Sequence, residues 1–322
     1  MTWRRIDVAY HDPAPDHLVL ATRPLFERGR GWFQRHWTRG PHLELWFATA
    51  APSFDEVAAL VVPYLREHPS RTTIDPDRLR PQHEHLAVAE QIDEPLYPFY
   101  ENNTVHEAVP RSRVHVLGSA AAEELLHDFH VGASAAAFGQ LEAADRLSLA
   151  FELMVATAHT FAEGGITGGF VSFRSHAEAF LAGAGPGVRE RWDAQLAARA
   201  RAVRGQVAAV SARGRAWTEL LEPFGRRGDE LIASGELTFD EGAVAVPDSE
   251  FHRVLSGNAG WHENVLRSAG FRRYRLLLNL TYLQLSRLGV TAVQRSLLCH
   301  FAASAVEQEY GVSAIEVAAG GV

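Results

Sequence analysis

In the segment NLTYLQLSRLG, Tyr282 and Ser286 stand four residues apart, a spacing that projects both from the same side of a helix, with Asn279 one turn earlier. A phenol and an alcohol so placed offer weak-acid chemistry: one proton to give, and a hydroxyl neighbour to hydrogen-bond. The alternative is structural, because most buried tyrosine hydroxyls are simply paired. A second polar and aromatic group lies in WFQRHWTRGPHLELWF, Trp32 to Phe47, which reads as two alternating strands joined at Arg39, Gly40 and Pro41. The inward positions of this hairpin look like the floor of a site.

Other chemistry is largely absent from the sequence. His83 with His85 and His127 with His130 are the closest histidine sets among 16, and neither has the HExxH spacing that places two imidazoles and a glutamate on one helix face, so no metal is expected. The glycine-rich stretches Gly164 to Gly169 and Gly183 to Gly187 lack a preceding strand and the GxGxxG order, and read as hinges or turns. No GxSxG elbow is present.

Composition narrows the class further. All 31 basic residues are arginine, which removes Schiff-base catalysis, a pyridoxal-phosphate anchor and a P-loop lysine, each of which needs a primary amine. Net charge of -8 argues against nucleic-acid binding, although arginine clusters at Arg189 to Arg204 or Arg272 to Arg275 suit an acidic peptide as well as a solvated face. The longest apolar runs, such as Leu276 to Leu280, fall far short of the roughly 20 residues a membrane helix needs. Met1 to Tyr10 has no signal-peptide apolar core, so the expectation is a cytoplasmic protein with no membrane partner. The single cysteine, Cys299, reads as a buried inert thiol in an apolar helix.

The elements that must position these residues fall in two parts. Residues 1–118 read as a mixed α/β lobe with a small sheet: a strand at Trp3 to Tyr10, a helix at Asp16 to Arg28, the hairpin, and a helix at Ser53 to His68 capped by Ser53 with Glu56. Five prolines between Thr72 and Pro110 predict loops and short strands there, and Val114 to Leu117 a last strand. Residues 119–322 read as a mainly helical lobe, giving an α+β fold class. Its clearest helices are Phe271 to Leu288 and Thr291 to Tyr310, separated by Gly289, with Thr291 as N-cap. Gly235 to Asp248 is expected to be a loop or small hairpin.

WFQRHWTRGPHLELWF and LLLNLTYLQLSRLGVTAVQRSLLCHFAASAVE together resemble the C-terminal elimination domain of lantibiotic dehydratases and its stand-alone relatives in thiopeptide pathways. The resemblance runs through nearly the whole chain and implies one elimination-domain-like fold over 1–322. It also departs from the glutamate-eliminating members, in which arginines on the PHL strand hold a glutamyl ester. Glu44 and Trp46 stand at those two positions here, and an acidic Glu44 would repel that carboxylate. Tyr282 stands where those members carry a histidine, and Ser286 where they carry an asparagine.

This pattern is similar to the thiopeptide pyridine synthases. The resemblance implies a formal 4+2 aza-cycloaddition between two dehydroalanines of an azole-containing precursor peptide, then loss of water and of the leader peptide, with no cofactor. It implies Tyr282 as proton donor, Ser286 as its hydrogen-bonding neighbour and Glu44 as a base or orienting group. For Glu44, strand alternation opposite Leu43 and Leu45 leaves a plain surface position as the alternative. Trp46, Trp37, Arg35, His42, Asn279 and Tyr274 are the expected substrate-binding positions, the two tryptophans as flat walls for azole rings. Two other readings remain: a glutamate-elimination subunit, and a non-catalytic scaffold that binds the leader peptide.

Overall fold

The computed structural model describes residues 2–48, 52–239 and 249–318. Four antiparallel strands form one sheet in the order β2-β3-β1-β4: β1 (Trp3–Ala9), β2 (Gly31–His36), β3 (His42–Ala48) and β4 (Thr104–Ala108). The hairpin forms as expected, because Arg39 and Gly40 both take positive φ between β2 and β3. Helix α1 (Asp16–Phe26) follows β1, and α2 (Phe54–Glu67) opens on Ser53 and Glu56 in a reciprocal capping box.

Period-two alternation gives this sheet two unlike faces. Ile6, Val8, Phe33, Leu43, Leu45 and Phe47 fill an apolar face, where the Phe26 ring of α1 packs on Phe33 and Phe47. The opposite face carries Arg5, Asp7, Trp32, Gln34, His36, His42, Glu44 and Trp46. Register sets Glu44 across from Asp7 on one side and Gln34 on the other.

Two expectations fail between residues 72 and 117. Pro76–Ala89 is a helix, α3: Asp75 caps it, and Pro76 takes the first helical position, where its missing N–H leaves no bond unmade. Val114–Leu117 is one helical turn, α4, and the remaining strand is β4, paired to β1. Of the stretch Gly235 to Asp248, residues 240–248 lie outside the described residues.

The rest is helical: α5 (Ala120–Leu141), α6 (Arg146–Phe161), α7 (Ile166–Ala182), α8 (Val188–Ala208), α9 (Ala212–Ala233), α10 (Glu250–Gly257), α11 (Ala259–Trp261) with a π turn at His262–Leu266, α12 (Ala269–Arg287), α13 (Ala292–Tyr310) and α14 (Ala314–Ala318). No described helix is long and apolar enough to cross a membrane. The chain divides into two compact units. One holds the sheet together with Leu126–Ala143 and Ser286–Gly289; the other holds Leu117–Leu125, Ala144–Leu285 and Val290–Val322. In the second, α13 packs against α7 and α8, and α6 against α9. Thr291 caps α13 through a box with Gln294, as its sequence position predicts.

Candidate active site

In the first unit, Glu44 is 0 % exposed, which removes the surface-residue alternative. Both faces of the sheet are covered, so alternation selects its face without exposing it. Its carboxylate is gripped from three sides. Arg111 Nη1 forms an ion pair with Oε1 at 2.6 Å, while Oε2 accepts from Arg111 Nη2 at 2.8 Å, Gln34 Nε2 at 2.6 Å and the Trp46 indole N–H at 2.9 Å. Arg5 Nε lies 3.8 Å away, and its guanidinium is held by Asp7 at 2.8 Å and by Glu94 at 2.9 Å. Glu94 also receives Arg111 at 2.7 Å, so both arginines are fixed independently of Glu44.

Two histidines complete this cluster. His42 donates from Nδ1 to the Gly40 carbonyl at 2.8 Å and turns Nε2 toward Glu44 at 3.4 Å and Asp7 at 3.8 Å. Burial lowers its pKa, but hydrogen bonding to Glu44 and the charges of Asp7 and Glu44 outweigh this and raise it. His36 accepts the Thr38 amide on Nδ1 at 3.3 Å, and burial drives its pKa well below the usual value. Burial alone would raise the pKa of Glu44; its histidine and arginine neighbours overcome that and hold it well below the carboxylate range. Arg5 and Arg111, with His42 drawn toward its charged form, offset Asp7, Glu44 and Glu94. That balance explains how the like-charged cross-strand pair Asp7 and Glu44 is tolerated.

His36, His42 and Glu44 also bring one ligand atom each within 4.8 Å of one another, the arrangement among the described residues that approaches a metal site. Two guanidiniums already share the carboxylate and would repel a cation, so these residues fit an ion-pair network better than a metal.

The other hairpin candidates divide. Trp46, 2 % exposed, stacks on Trp32 at 4.9 Å with planes 8° apart, and Trp32 stacks on His130 at 4.3 Å. Trp37 is half-buried, with its indole N–H on Glu90 at 3.1 Å. Arg35 pairs with Asp16 and donates to the Arg287 carbonyl at 3.0 Å.

On α12 the candidates also differ. Tyr282 is 5 % exposed and its hydroxyl lies 3.4 Å from Cys299 Sγ, with the Arg295 guanidinium 5.1 Å over its ring. Burial, followed by Cys299, raises the Tyr282 pKa well above its usual value, and burial pushes the Cys299 thiol up to about 12. Cys299 is therefore the inert buried thiol expected. Asn279 and Ser286 are exposed. Tyr274 is buried and donates to the Gly169 carbonyl at 3.0 Å, where a glycine is needed because a Cβ would stand 3.0 Å from the phenol oxygen.

Arg5, Asp7, Glu94 and Arg111 were not among the sequence candidates. A charged pair inside the first strand, Arg5 and Asp7, is the signal that was available, because charges alternating into a sheet face need partners there.

Residues 3–306 match the family described as "Lantibiotic biosynthesis dehydratase C-term". Among solved structures, the chain is similar to "Pyridine synthase, TbtD, from thiomuracin biosynthesis", with 34% identity, a TM-score of 0.78, and coverage of 97% of this chain and 100% of that one. It is also similar in fold to TsrL, with 19% identity, a TM-score of 0.70, and coverage of 99% and 98%. No curated protein matches the sequence. The chain belongs to the lantibiotic dehydratase C-terminal family.

Proposed function

We propose that this protein is a pyridine synthase of thiopeptide biosynthesis. It joins two dehydroalanines of an azole-bearing precursor peptide in a formal 4+2 aza-cycloaddition, and loss of water and of the leader, as a carboxamide, leaves a pyridine. The observation that carries this reading is the end-to-end match, at 34% identity, to a pyridine synthase. The chemistry of Glu44 supports it. The arginines nearest that position are already neutralised by carboxylates of the protein itself, an arrangement unsuited to receiving a glutamyl carboxylate.

The burial found for Glu44 changes its proposed role. A carboxylate held well below its ordinary pKa is a poor base at neutral pH, so Glu44 is the orienting group. Tyr282 remains the proposed proton donor for tautomerisation and elimination; its buried hydroxyl lies against Cys299 Sγ and His176 Nδ1, and Ser286, one turn on, is exposed. Trp46, Tyr274 and His42, with their polar atoms committed inside the protein, act by positioning; Trp37, Arg35 and Asn279 remain the proposed substrate-binding positions. Holding two distant alkenes in contact can supply on the order of 7 to 11 kcal/mol of the barrier. The partner is the modified precursor; an acidic leader would suit the exposed Arg191, Arg199, Arg201 and Arg204 of α8 or the Arg272, Arg273 and Arg275 cluster of α12. Offering the purified protein a dehydrated precursor and a glutamylated one in parallel tests the reading. Conversion of the first alone supports it; dehydroalanine formed from the second refutes it.

A further inference from the structure

Every proton shift in the proposed reaction needs an acceptor as well as a donor. Tautomerisation moves a proton from an amide nitrogen to its oxygen, and the last elimination takes one from a ring carbon while the departing nitrogen gains another. Tyr282, its pKa raised by burial, serves only as donor, and Glu44 is a poor base. The second unit places one further titratable group on the Tyr282 phenol.

His176 of α7 stands edge-on to the Tyr282 ring, with centroids 5.0 Å apart, planes at 82° and Nδ1 3.5 Å from the phenol oxygen. Its Nδ1 donates to the Ser172 carbonyl at 2.8 Å, one turn back on the same helix. A carbonyl only accepts, so the ring proton sits on Nδ1 and the lone pair on Nε2. Nε2 has no hydrogen-bond partner among the described residues, and the side chain is exposed. Burial nevertheless lowers its pKa to about 4, opposed by the Ser172 carbonyl and aided by the charges of Arg295, Arg275 and His252. A side chain that is both exposed and desolvated lies in a recess, and Arg295 of α13, 5.1 Å over the Tyr282 ring, lines the same place. His252 of α10 is not an alternative acceptor, because its ring nitrogens are taken by Ser175 at 3.1 Å and Ser249 at 2.8 Å.

We infer that His176 is the general base of pyridine formation, its Nε2 taking the protons for which Tyr282 supplies the counterpart; the inference rests on the reaction proposed above. In the last elimination Nε2 removes a proton from a ring carbon, and the electrons of that C–H bond form the ring double bond. The neighbouring C–N bond to the leader breaks with its electron pair, Tyr282 protonates that nitrogen to give the carboxamide, and the imidazolium returns a proton to the phenolate. Completing an aromatic ring makes that proton easy to remove, so an imidazole of low pKa, unprotonated throughout the neutral range, suffices.

The test uses the full chain and a dehydrated, azole-bearing precursor. His176→Gln and His176→Ala, changes at an exposed position, should keep thermal unfolding and leader affinity as in the unaltered protein and lower kcat by about 100-fold or more. Added imidazole should restore part of the rate in His176→Ala, in step with its unprotonated fraction as pH rises, and should do nothing for the unaltered protein. A kcat close to that of the unaltered protein in both variants overturns the assignment, as does a loss in His176→Ala that imidazole leaves untouched. If the unaltered protein converts no precursor, pyridine formation itself is refuted and the base with it, a result distinct from the other two.

Discussion

Arg35 donates its Nε–H to the main-chain carbonyl of Arg287 at 3.0 Å, tying β2 to the end of α12 across 252 residues of sequence. The Arg287 guanidinium in turn lies 4.5 Å over the Phe33 ring and donates to Ser134 Oγ at 2.8 Å and the His130 carbonyl at 3.2 Å. The hairpin and Ser286–Gly289, four residues of the second segment that carries the family resemblance, therefore meet inside one unit. Arg287 is 1 % exposed, and burial lowers its pKa to about 9.

Gly289 is the tight point of this junction. It has φ +78°, and an added Cβ would stand 3.1 Å from the Arg35 guanidinium. Gly311 has a similar φ, +64°, with open space around it. Alanine at either position costs on the order of 1 kcal/mol of backbone strain. Gly289→Ala should lower the unfolding free energy in urea by clearly more than Gly311→Ala, the difference reporting displacement of Arg35. Equal losses would mean that the contact contributes nothing.

Replacing Glu44 by glutamine keeps its shape and removes its charge, leaving Arg5 and Arg111 undercompensated in a buried site. Breaking a buried pair in this way costs about 3 kcal/mol or more. Glu94→Gln, at a carboxylate whose side chain is 16% exposed, should cost less. Urea unfolding of the two variants at neutral pH checks the order.

Acid should weaken the fold through His130. Burial, then Arg287 and His127, hold its pKa well below the usual value. Above about pH 6.5 both folded and unfolded states carry it neutral. As pH falls below that, the unfolded chain takes up a proton that the native site refuses, and stability drops by about 1.4 kcal/mol per pH unit for each such histidine. His42 works in the other sense: its raised pKa gives stability that is complete below its unfolded pKa and lost as pH rises through the folded value. Glu44, with a depressed pKa, contributes above its unfolded pKa and does not titrate in this window. His130→Phe, which keeps a ring against Trp32, should flatten the fall in unfolding free energy between pH 6.5 and 5.5. An unchanged slope would show that His130 titrates normally.

Tyr282→Phe removes one buried hydroxyl whose contacts to Cys299 Sγ and His176 Nδ1 are long, 3.4 and 3.5 Å, so folding and leader binding should survive. Turnover of a dehydrated precursor should fall by about 100-fold to 10,000-fold, the range for a positioned proton donor. Full activity in this variant would remove Tyr282 from the mechanism.

The strands and the long helices were legible because their side-chain periods are visible in one sequence. Helix α3 was hidden by Pro76, whose harmless place at the helix start depends on Asp75 capping it, and by Pro81, which stands inside the helix. The burial of Glu44 was illegible for a different reason: alternation says which face a residue occupies, and not whether that face is covered. Arg111 meets it from 67 residues away, a pairing that no local pattern encodes. On α12, residues four apart differ by about 40° around the axis, enough to leave Ser286 exposed while Tyr282 is buried.

Mass balance on a single substrate tests the proposed reaction most directly. A leader-bearing precursor with azoles and two dehydroalanines, incubated with the purified protein, should give a pyridine-containing macrocycle and one equivalent of leader carboxamide. Their masses should sum to that of the substrate less one water. Substrate returned intact while its leader is bound would contradict the account, leaving a scaffold in place of an enzyme.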